Sequence, residues 1–325
     1  MRERDAFHAD GRLRGPANTV TAYAMSSIAA PTPARFFARR RRSLRILTLP
    51  ALVVVAAVIV FPWLFTVYMS AFDWKIGSVA HFVGLDNYTG LLTNQRFLEA
   101  IVHTFYFTAL AVIVPLLAGT AAALVFHREF RGRGVLRAIF TMPMMATPVA
   151  VALVWTMMFH PQQGVLNYLL SLVHLPPSLW VYSPTLVIPS LVMVEVWHWT
   201  PLVMLIVLGG LASLPTEPYE SARLDGATEW QLFRHITLPL IAPFLVLAAV
   251  IRTIDAVKAF DTIYVISQGG PGTASETINL YLYLQAFAFY NVGNASAVVV
   301  VFFAIILALA LLLLHVRQRT RWVAM

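Results

Sequence analysis

Glu220-Ser221-Ala222-Arg223-Leu224-Asp225-Gly226-Ala227, followed by Ile236-Thr237-Leu238-Pro239, is a polar island between two long apolar runs. A chain that only has to turn back at a membrane face needs no such set of charges, one glycine and one proline. The stretch therefore reads as a docking surface. Residues 211–239 around it predict two short helices. Thr216, with Pro218 just inside, suits a helix start. Asp225-Gly226 suits its end, because glycine enters the left-handed region without a Cβ clash. Thr228 and Gln231 have the spacing of a capping box. The second helix is expected to stop near Pro239, where the next apolar run begins. Ser221 and Ala222 are small enough for close approach, and Glu220 and Asp225 offer carboxylates to a partner's Arg or Lys. The competing reading is an ordinary interfacial hairpin.

The surroundings of this island place the chain in a membrane. Of its 325 residues, 59% are hydrophobic and only 12% charged, against about 25% charged in soluble domains. There is no cysteine, which excludes disulfides, thiolate metal sites and a Cys nucleophile. The nine His are scattered, with no His-x-x-x-His or His-Glu-x-x-His pair. No Gly-x-x-x-x-Gly-Lys-Ser/Thr loop is present to cradle nucleotide phosphates.

A hydrocarbon core about 30 Å thick takes roughly 20 apolar residues in a helix. Six segments qualify: approximately 46–71, 100–126, 136–159, 184–210, 240–266 and 289–315. Their continuous apolar character favours helices over an alternating barrel, and each helix satisfies its own backbone in lipid. With the N-terminus inside, the inner segments hold 19 Lys and Arg and the outer ones only Lys75 and Arg96. That asymmetry predicts that both ends, and the polar island, are cytoplasmic. The net charge of +8 is thus a topology signal and not a nucleic-acid footprint.

The expected organisation is a basic, largely disordered cytoplasmic tail over 1–45, a six-helix transmembrane domain over 46–316 with the cytoplasmic loop 211–239, and a short cytoplasmic tail over 317–325. Arg39-Arg40-Arg41-Arg42 closes the first tail. It could open a signal peptide, but the apolar run from Leu44 to Ala71 is too long for a signal core, and no small-residue cleavage site follows it. Met25 would serve as well as Met1 for a start.

Two features stand out inside the spans. The fifth carries Arg252, Asp255, Lys258 and Asp261, three apart and alternating in sign. Each such charge costs roughly 2.5–3.5 kcal/mol near a bilayer centre, so the four must face a cavity or a partner. An ion-pair ladder along the helix and a set of groups that bond a solute's hydroxyls are both open readings. The fourth span carries Glu195-Val196-Trp197-His198-Trp199-Thr200-Pro201. Indoles stack on sugar rings while Glu and His bond hydroxyls; an aromatic belt with a proline kink is the alternative.

The spacing Glu220-Ser221-Ala222, Gly226, Ile236-x-Leu238-Pro239 resembles the signature loop of the membrane subunits of bacterial ABC importers, whose usual triplet is Glu-Ala-Ala. Phe82-Val83-Gly84-Leu85-x-Asn87-Tyr88, Gly164-x-x-Asn167 and Gly269-Gly270-Pro271-Gly272 resemble the carbohydrate-uptake branch, in particular the maltose and glycerol-phosphate type of first permease subunit. The resemblance covers about residues 45–316. It implies an all-α membrane protein with the type I importer fold, in a bacterial inner membrane. Glu220, Ser221, Ala222, Arg223, Leu224, Asp225, Gly226, Ala227, Ile236, Leu238 and Pro239 would couple it to an ATPase. Trp197, His198, Trp199, Arg252 and Ala256 would line the substrate path, with Glu195, Asp255 and Lys258 beside them and Met145 and Val149 as weaker candidates. Only Trp197 matches that family in residue type as well as place.

The function so implied is ATP-driven import of a sugar, oligosaccharide or sugar alcohol by a non-catalytic subunit. It binds no metal and no cofactor itself, since ATP and Mg would sit on partner ATPase subunits. Its partners would be a second homologous permease, two ATPase subunits, an external solute-binding protein, the sugar or polyol, and lipid, with no nucleic acid. A glycerol-phosphate importer is one alternative. A proton-coupled secondary transporter using the charges of the fifth span is another, and a membrane-embedded enzyme ranks last because no nucleophile–base pair is visible.

Overall fold

The computed structural model describes residues 48–320, with side chains as far as His315. The basic tail 1–45 and residues 321–325 lie outside the described residues. The chain divides into two compact units, Met1–Ile59 and Val60–Met325. Of the first, residues 48–59 are helical and exposed. The second is helical apart from one small hairpin. Its elements are α1 (Phe61–Met69), β1 (Phe72–Asp73), β2 (His81–Phe82), α2 (Asp86–Thr93), α3 (Gln95–His127), α4 (Arg133–Thr141), α5 (Pro148–Met158), α6 (Val165–Leu172), α7 (Val187–Ala212), α8 (Glu217–Leu224), α9 (Glu229–Leu232), α10 (Leu238–Val257), α11 (Asp261–Ile266), α12 (Ile278–Tyr283) and α13 (Val292–Thr320).

Among the described residues, five helical runs are long and apolar enough to cross a membrane: Thr48–Met69, Gln95–His127, Val187–Ala212, Glu229–Val257 and Val292–His315. A sixth crossing exists if Arg133–Met145 and Pro148–Met158, bent by 98°, count as one. The third expected span, 136–159, is therefore two helices and not one. Pro148 causes the break: the residue before a proline is driven out of the helical region, and Thr147 is extended at φ −71°, ψ 143°. The fifth expected span, 240–266, is also interrupted. Its helix ends at Val257, and α11 starts afresh at Asp261. The last helix runs on to Thr320, past the expected boundary at 316.

α7 is the central helix. Of its most apolar window, 61% is buried inside the protein, against 33% for α3. Small residues let its neighbours come close. A Cβ on Gly119 of α3 would lie 2.7 Å from the Val203 side chain, and one on Gly210 of α7 would lie 2.6 Å from the Phe244 ring. Such positions admit only glycine, and close backbone approach supplies the dispersion contacts that hold helices together in lipid. Phe107, Trp155, Phe159, Leu191, Val194, Ala256 and Ile263 pack as one core between α3, α5, α7, α10 and α11.

The three loops expected outside are locked by specific bonds. Asn87 donates to the carbonyls of Ser70 and Phe72, each at 2.9 Å, and closes the first over the β1–β2 hairpin. The Tyr88 hydroxyl bonds Ser70 at 2.6 Å. Asn167 does the same for the second loop, donating to the carbonyls of Pro161 and Ser178 and accepting from the Ser178 amide and the Trp180 indole. In the third, the Ser275 hydroxyl bonds the Gly270 carbonyl at 2.7 Å and Ser267 at 2.8 Å, and the peptide before Pro271 is cis.

Candidate functional sites: the polar hairpin and an intramembrane cluster

The polar island folds as two helices, α8 and α9, joined by a turn at Asp225–Ala227. α8 ends where Gly226 takes φ +82°. The Ala227 amide then reaches back to the Ala222 carbonyl at 3.0 Å, and the Gly226 amide to Arg223 at 3.1 Å. These six-to-one and five-to-two bonds are a Schellman end, which the left-handed glycine makes possible. Thr228 opens α9 with both halves of the capping box, the Thr228 amide donating to the Gln231 side chain at 2.8 Å and the Gln231 amide to the Thr228 hydroxyl at 3.4 Å. Thr216 sits at the start of α8 but makes no capping bond, since its backbone is already helical.

The second helix does not stop at Pro239. A wide turn over Phe233–Thr237 passes the chain directly into α10, with the Leu238 amide reaching Phe233. Pro239 falls in the first turn of α10, where a missing amide is tolerated. The consequence is one apolar helical run from Glu229 to Val257. The tip of the hairpin presents Leu224, 90% exposed, and Trp230, 65% exposed. Ala222, Asp225, Gly226, Ala227 and Ile236 line a shallow cavity of about 330 Å³ beside them. Glu220 and Arg223 face the larger cavity on the other side, about 760 Å³. The Tyr219 hydroxyl bonds Thr237 at 3.1 Å and ties α8 to the base of α10.

The intramembrane charges are not a ladder along one helix. Arg252 turns away from its own helix and donates from Nη2 to Glu195 Oε2 on α7 at 3.0 Å and to the Ala111 carbonyl on α3 at 3.3 Å. Thr262 of α11 donates to the other Glu195 oxygen at 3.2 Å. The guanidinium lies 4.9 Å from the Trp199 ring centroid. Arg252 is 1% exposed, yet its Nε and Nη1 have no partner. Buried N–H groups without acceptors are costly. Arg252 is one of the residues around a cavity of about 290 Å³, with Pro148, Glu195, Trp199, Asp255 and Lys258, and with Phe260, Asp261 and Thr262 at the break after α10.

The structure thus brings together Glu195, Trp199, Arg252, Asp255 and Lys258. The other candidates do not line that cavity, although the His198 ring lies 4.7 Å from that of Trp199. Trp197 points elsewhere, half-exposed, with its ring edge-on to Trp155 at 5.9 Å. His198 is buried and bonds the Ala146 carbonyl at 3.2 Å, so it braces the bend before α5. Ala256 is core. Met145 is 83% exposed near Arg137 and Leu205, and Val149 is exposed too. Thr262 and Phe260 were not foreseen, because the charge pattern hid the helix break that aims them at the cavity. Also unforeseen was the outer lock: Arg96 grips buried Glu276 through Nε at 3.0 and 3.1 Å and Nη2 at 2.8 Å. Tyr281 lies beside it, its phenol pKa raised by burial against the opposing pull of Arg96. Among the described residues, no group of three His, Asp or Glu could hold a metal ion.

Residues 115–322 match the binding-protein-dependent transport system inner membrane components, and the chain belongs to that family: a multi-pass inner-membrane transport subunit. It is 36% identical over 236 residues to the trehalose/maltose transport system permease protein MalF of Thermococcus litoralis, covering 72% of this chain and 80% of that one. It is 31% identical over 262 residues to the trehalose transport system permease protein SugA of Mycobacterium tuberculosis, covering 78% and 84%. A bacterial ABC transporter that imports the acidic polysaccharide alginate has a similar structure, with a TM-score of 0.75, 23% identity and 89% of this chain covered, 99% of that one. That likeness shows the fold, the all-helical transmembrane fold of type I ABC importers.

Proposed function

We propose that this subunit imports a sugar, oligosaccharide or sugar alcohol, driven by separate ATPase chains that hold ATP and Mg. The single observation that carries the reading is the unbroken run from Glu229 to Val257. It joins the hairpin to the cavity, so a push at Trp230 is delivered at Arg252. The hairpin, from Glu220 to Ala227 with Ile236, Leu238 and Pro239, docks on an ATPase. A second homologous permease and an external solute-binding protein complete the complex. Both chain ends and the tails 1–45 and 317–325 are cytoplasmic, in accord with the Lys and Arg asymmetry. Closure of the ATPases must favour the outward-facing arrangement over the inward-facing one, because equal affinity for both would shift nothing.

Around the cavity, Asp255 and Lys258 supply an acceptor and a donor for substrate hydroxyls, and the buried, unpartnered Nε–H and Nη1–H of Arg252 are donors that an opening of the site would present to them. Relatives named for trehalose and maltose transport support a sugar as the substrate. A phosphorylated glycerol is the second reading, favoured by Arg252 and Lys258 among the residues around the cavity.

The test is uptake by vesicles holding the assembled complex. Trehalose and maltose should enter only with internal ATP and the binding protein present, and glycerol phosphate should not compete. Uptake that survives ATP depletion and stops with an uncoupler would sink the reading. Glu220→Lys or Gly226→Arg should abolish uptake while membrane insertion stays normal; a variant complex that keeps its ATPase and transports normally removes the docking role.

A further inference from the structure

Four rings beside the cavity have no part in the reading above. Phe260, Tyr264, Tyr283 and Phe287 follow one another from the break after α10 to the turn after α12. Phe260 and Tyr264 are nearly parallel, 13° apart, with centroids 5.1 Å from each other. Tyr264 meets Tyr283 edge-on at 5.1 Å, and Tyr283 meets Phe287 at 5.2 Å. Phe260 lines the charged cavity. At the other end Phe287 is 66% exposed, and Tyr264 is 37% exposed between them. Phe260 also meets Tyr283 at 5.1 Å, so three rings cluster beside the charged cavity and Phe287 extends their aromatic face to the open surface.

This strip has two phenols at its middle, Tyr264 and Tyr283. Aromatic faces with polar rims match one chemistry well: a pyranose has apolar C–H faces and a rim of hydroxyls. The ring-to-ring steps also fall in the range at which stacked partners interact.

We propose that Phe260, Tyr264, Tyr283 and Phe287 form an outer track on which one ring of a saccharide rests while the next ring reaches Glu195 and Arg252. The substrate is then a saccharide of two or more rings. This rests on the sugar reading of the cavity and goes further by fixing the substrate's minimum length.

The full complex, with ATPases and binding protein in proteoliposomes, is first assayed for uptake of trehalose and maltotriose. Failure of the wild type to take up any saccharide sinks the sugar reading itself. With wild-type uptake in hand, Tyr264→Leu and Phe287→Leu should each raise KM for both sugars roughly three- to tenfold, the loss of one stacking contact. Turnover at saturation should change less than about twofold by the same reasoning, and Phe287→Trp should restore KM. Leucine keeps the apolar bulk, so a packing or subunit-interface role predicts an unchanged KM, and that result overturns the track. So does a loss of turnover with KM unchanged. If the leucine variants fail to assemble, the Phe287→Trp complex decides: its indole emission should shift on adding maltotriose, and an unshifted spectrum at saturating sugar overturns the proposal.

Discussion

The polar hairpin and the intramembrane cluster carry similar charges, yet they are built in opposite ways. The turn of the hairpin is made of contacts three to five residues apart, Gly226 to Arg223, Ala227 to Ala222 and Gln231 to Thr228, and its longest tie, Tyr219 to Thr237, spans 18. Its ion pair, Arg223 with Glu229, is exposed and 3.5 Å long. The cluster is made of contacts 57, 67 and 141 residues apart, joining Arg252 to Glu195, Thr262 to Glu195, and Arg252 to the backbone of α3. Its ion pair is shorter, 3.0 Å, and buried. Local contacts give a shape that solvent tolerates and a partner can read. Distant contacts in a low dielectric give a lock that fails badly when one member is lost.

The largest effect should follow Glu195→Ala. Removing one partner of a buried pair leaves an uncompensated charge, at about 3–5 kcal/mol. Thermal unfolding of the purified complex in detergent should show a large fall in Tm. The double variant Glu195→Leu with Arg252→Met should recover much of it, since the buried charge is gone. A double variant no more stable than either single one would break the contrast, because the pair would then not be the lock.

Next comes Trp199→Ala, which removes the ring under the guanidinium; a desolvated contact of this kind is worth about 2 kcal/mol. Trp197→Ala should cost clearly less, and sugar KM should rise for the first and stay near wild type for the second. The reverse order would return the substrate path to Trp197, the one residue that matches the carbohydrate family in type. The two indoles differ for a physical reason. Helical periodicity turns neighbouring residues by about 100°, so Trp197 and Trp199 of one tight motif face different partners, Trp155 and Arg252.

The same distinction accounts for what the amino-acid order discloses. The Gly226 end, the Thr228–Gln231 box and most of the apolar runs are legible because each is settled within a few residues. Thr216 is a mild exception: its type fits a cap, but its backbone was already helical. The breaks at Thr147–Pro148 and after Val257 were less legible, because hydrophobicity alone continues through both. Arg96 and Glu276 look like unrelated loop charges, 180 residues apart, until the fold makes them a bidentate pair. Arg252 was legible as a costly residue but not as Glu195's partner, since nothing local selects one acidic residue over Asp255.

Gly226→Val should have an effect smaller than the two cluster losses. A β-branched residue at φ +82° carries a local cost of about 1–2 kcal/mol, and the Schellman bonds would have to give. Nothing lies within 4 Å of a Cβ there, so the cost is in the backbone alone. Tm should barely move, while coupling of ATP hydrolysis to uptake should fall. A large drop in Tm would mean that the hairpin is part of the core and not a separate, partner-facing element.

The smallest effect separates the two regions most cleanly. Thr228→Ala removes the acceptor for the Gln231 amide, a cap worth about 0.5–2 kcal/mol. The bond is long, at 3.4 Å, and exposed, so the low end applies, while Thr228→Ser should keep it. Amide exchange at Glu229–Leu232 should therefore speed up by roughly two- to fivefold, the size expected for a local opening of that free energy. Exchange around Arg252 should not change. The Glu195 and Trp199 contacts hold that part of the run from outside the helix, so fraying at Glu229 has to stop at the wide turn over Phe233–Thr237. Equal acceleration along the whole of Glu229–Val257 would show instead that hairpin and cluster unfold as one unit. The lever would then transmit disorder as readily as motion, and the division between a locally built docking surface and a distantly built lock would fall.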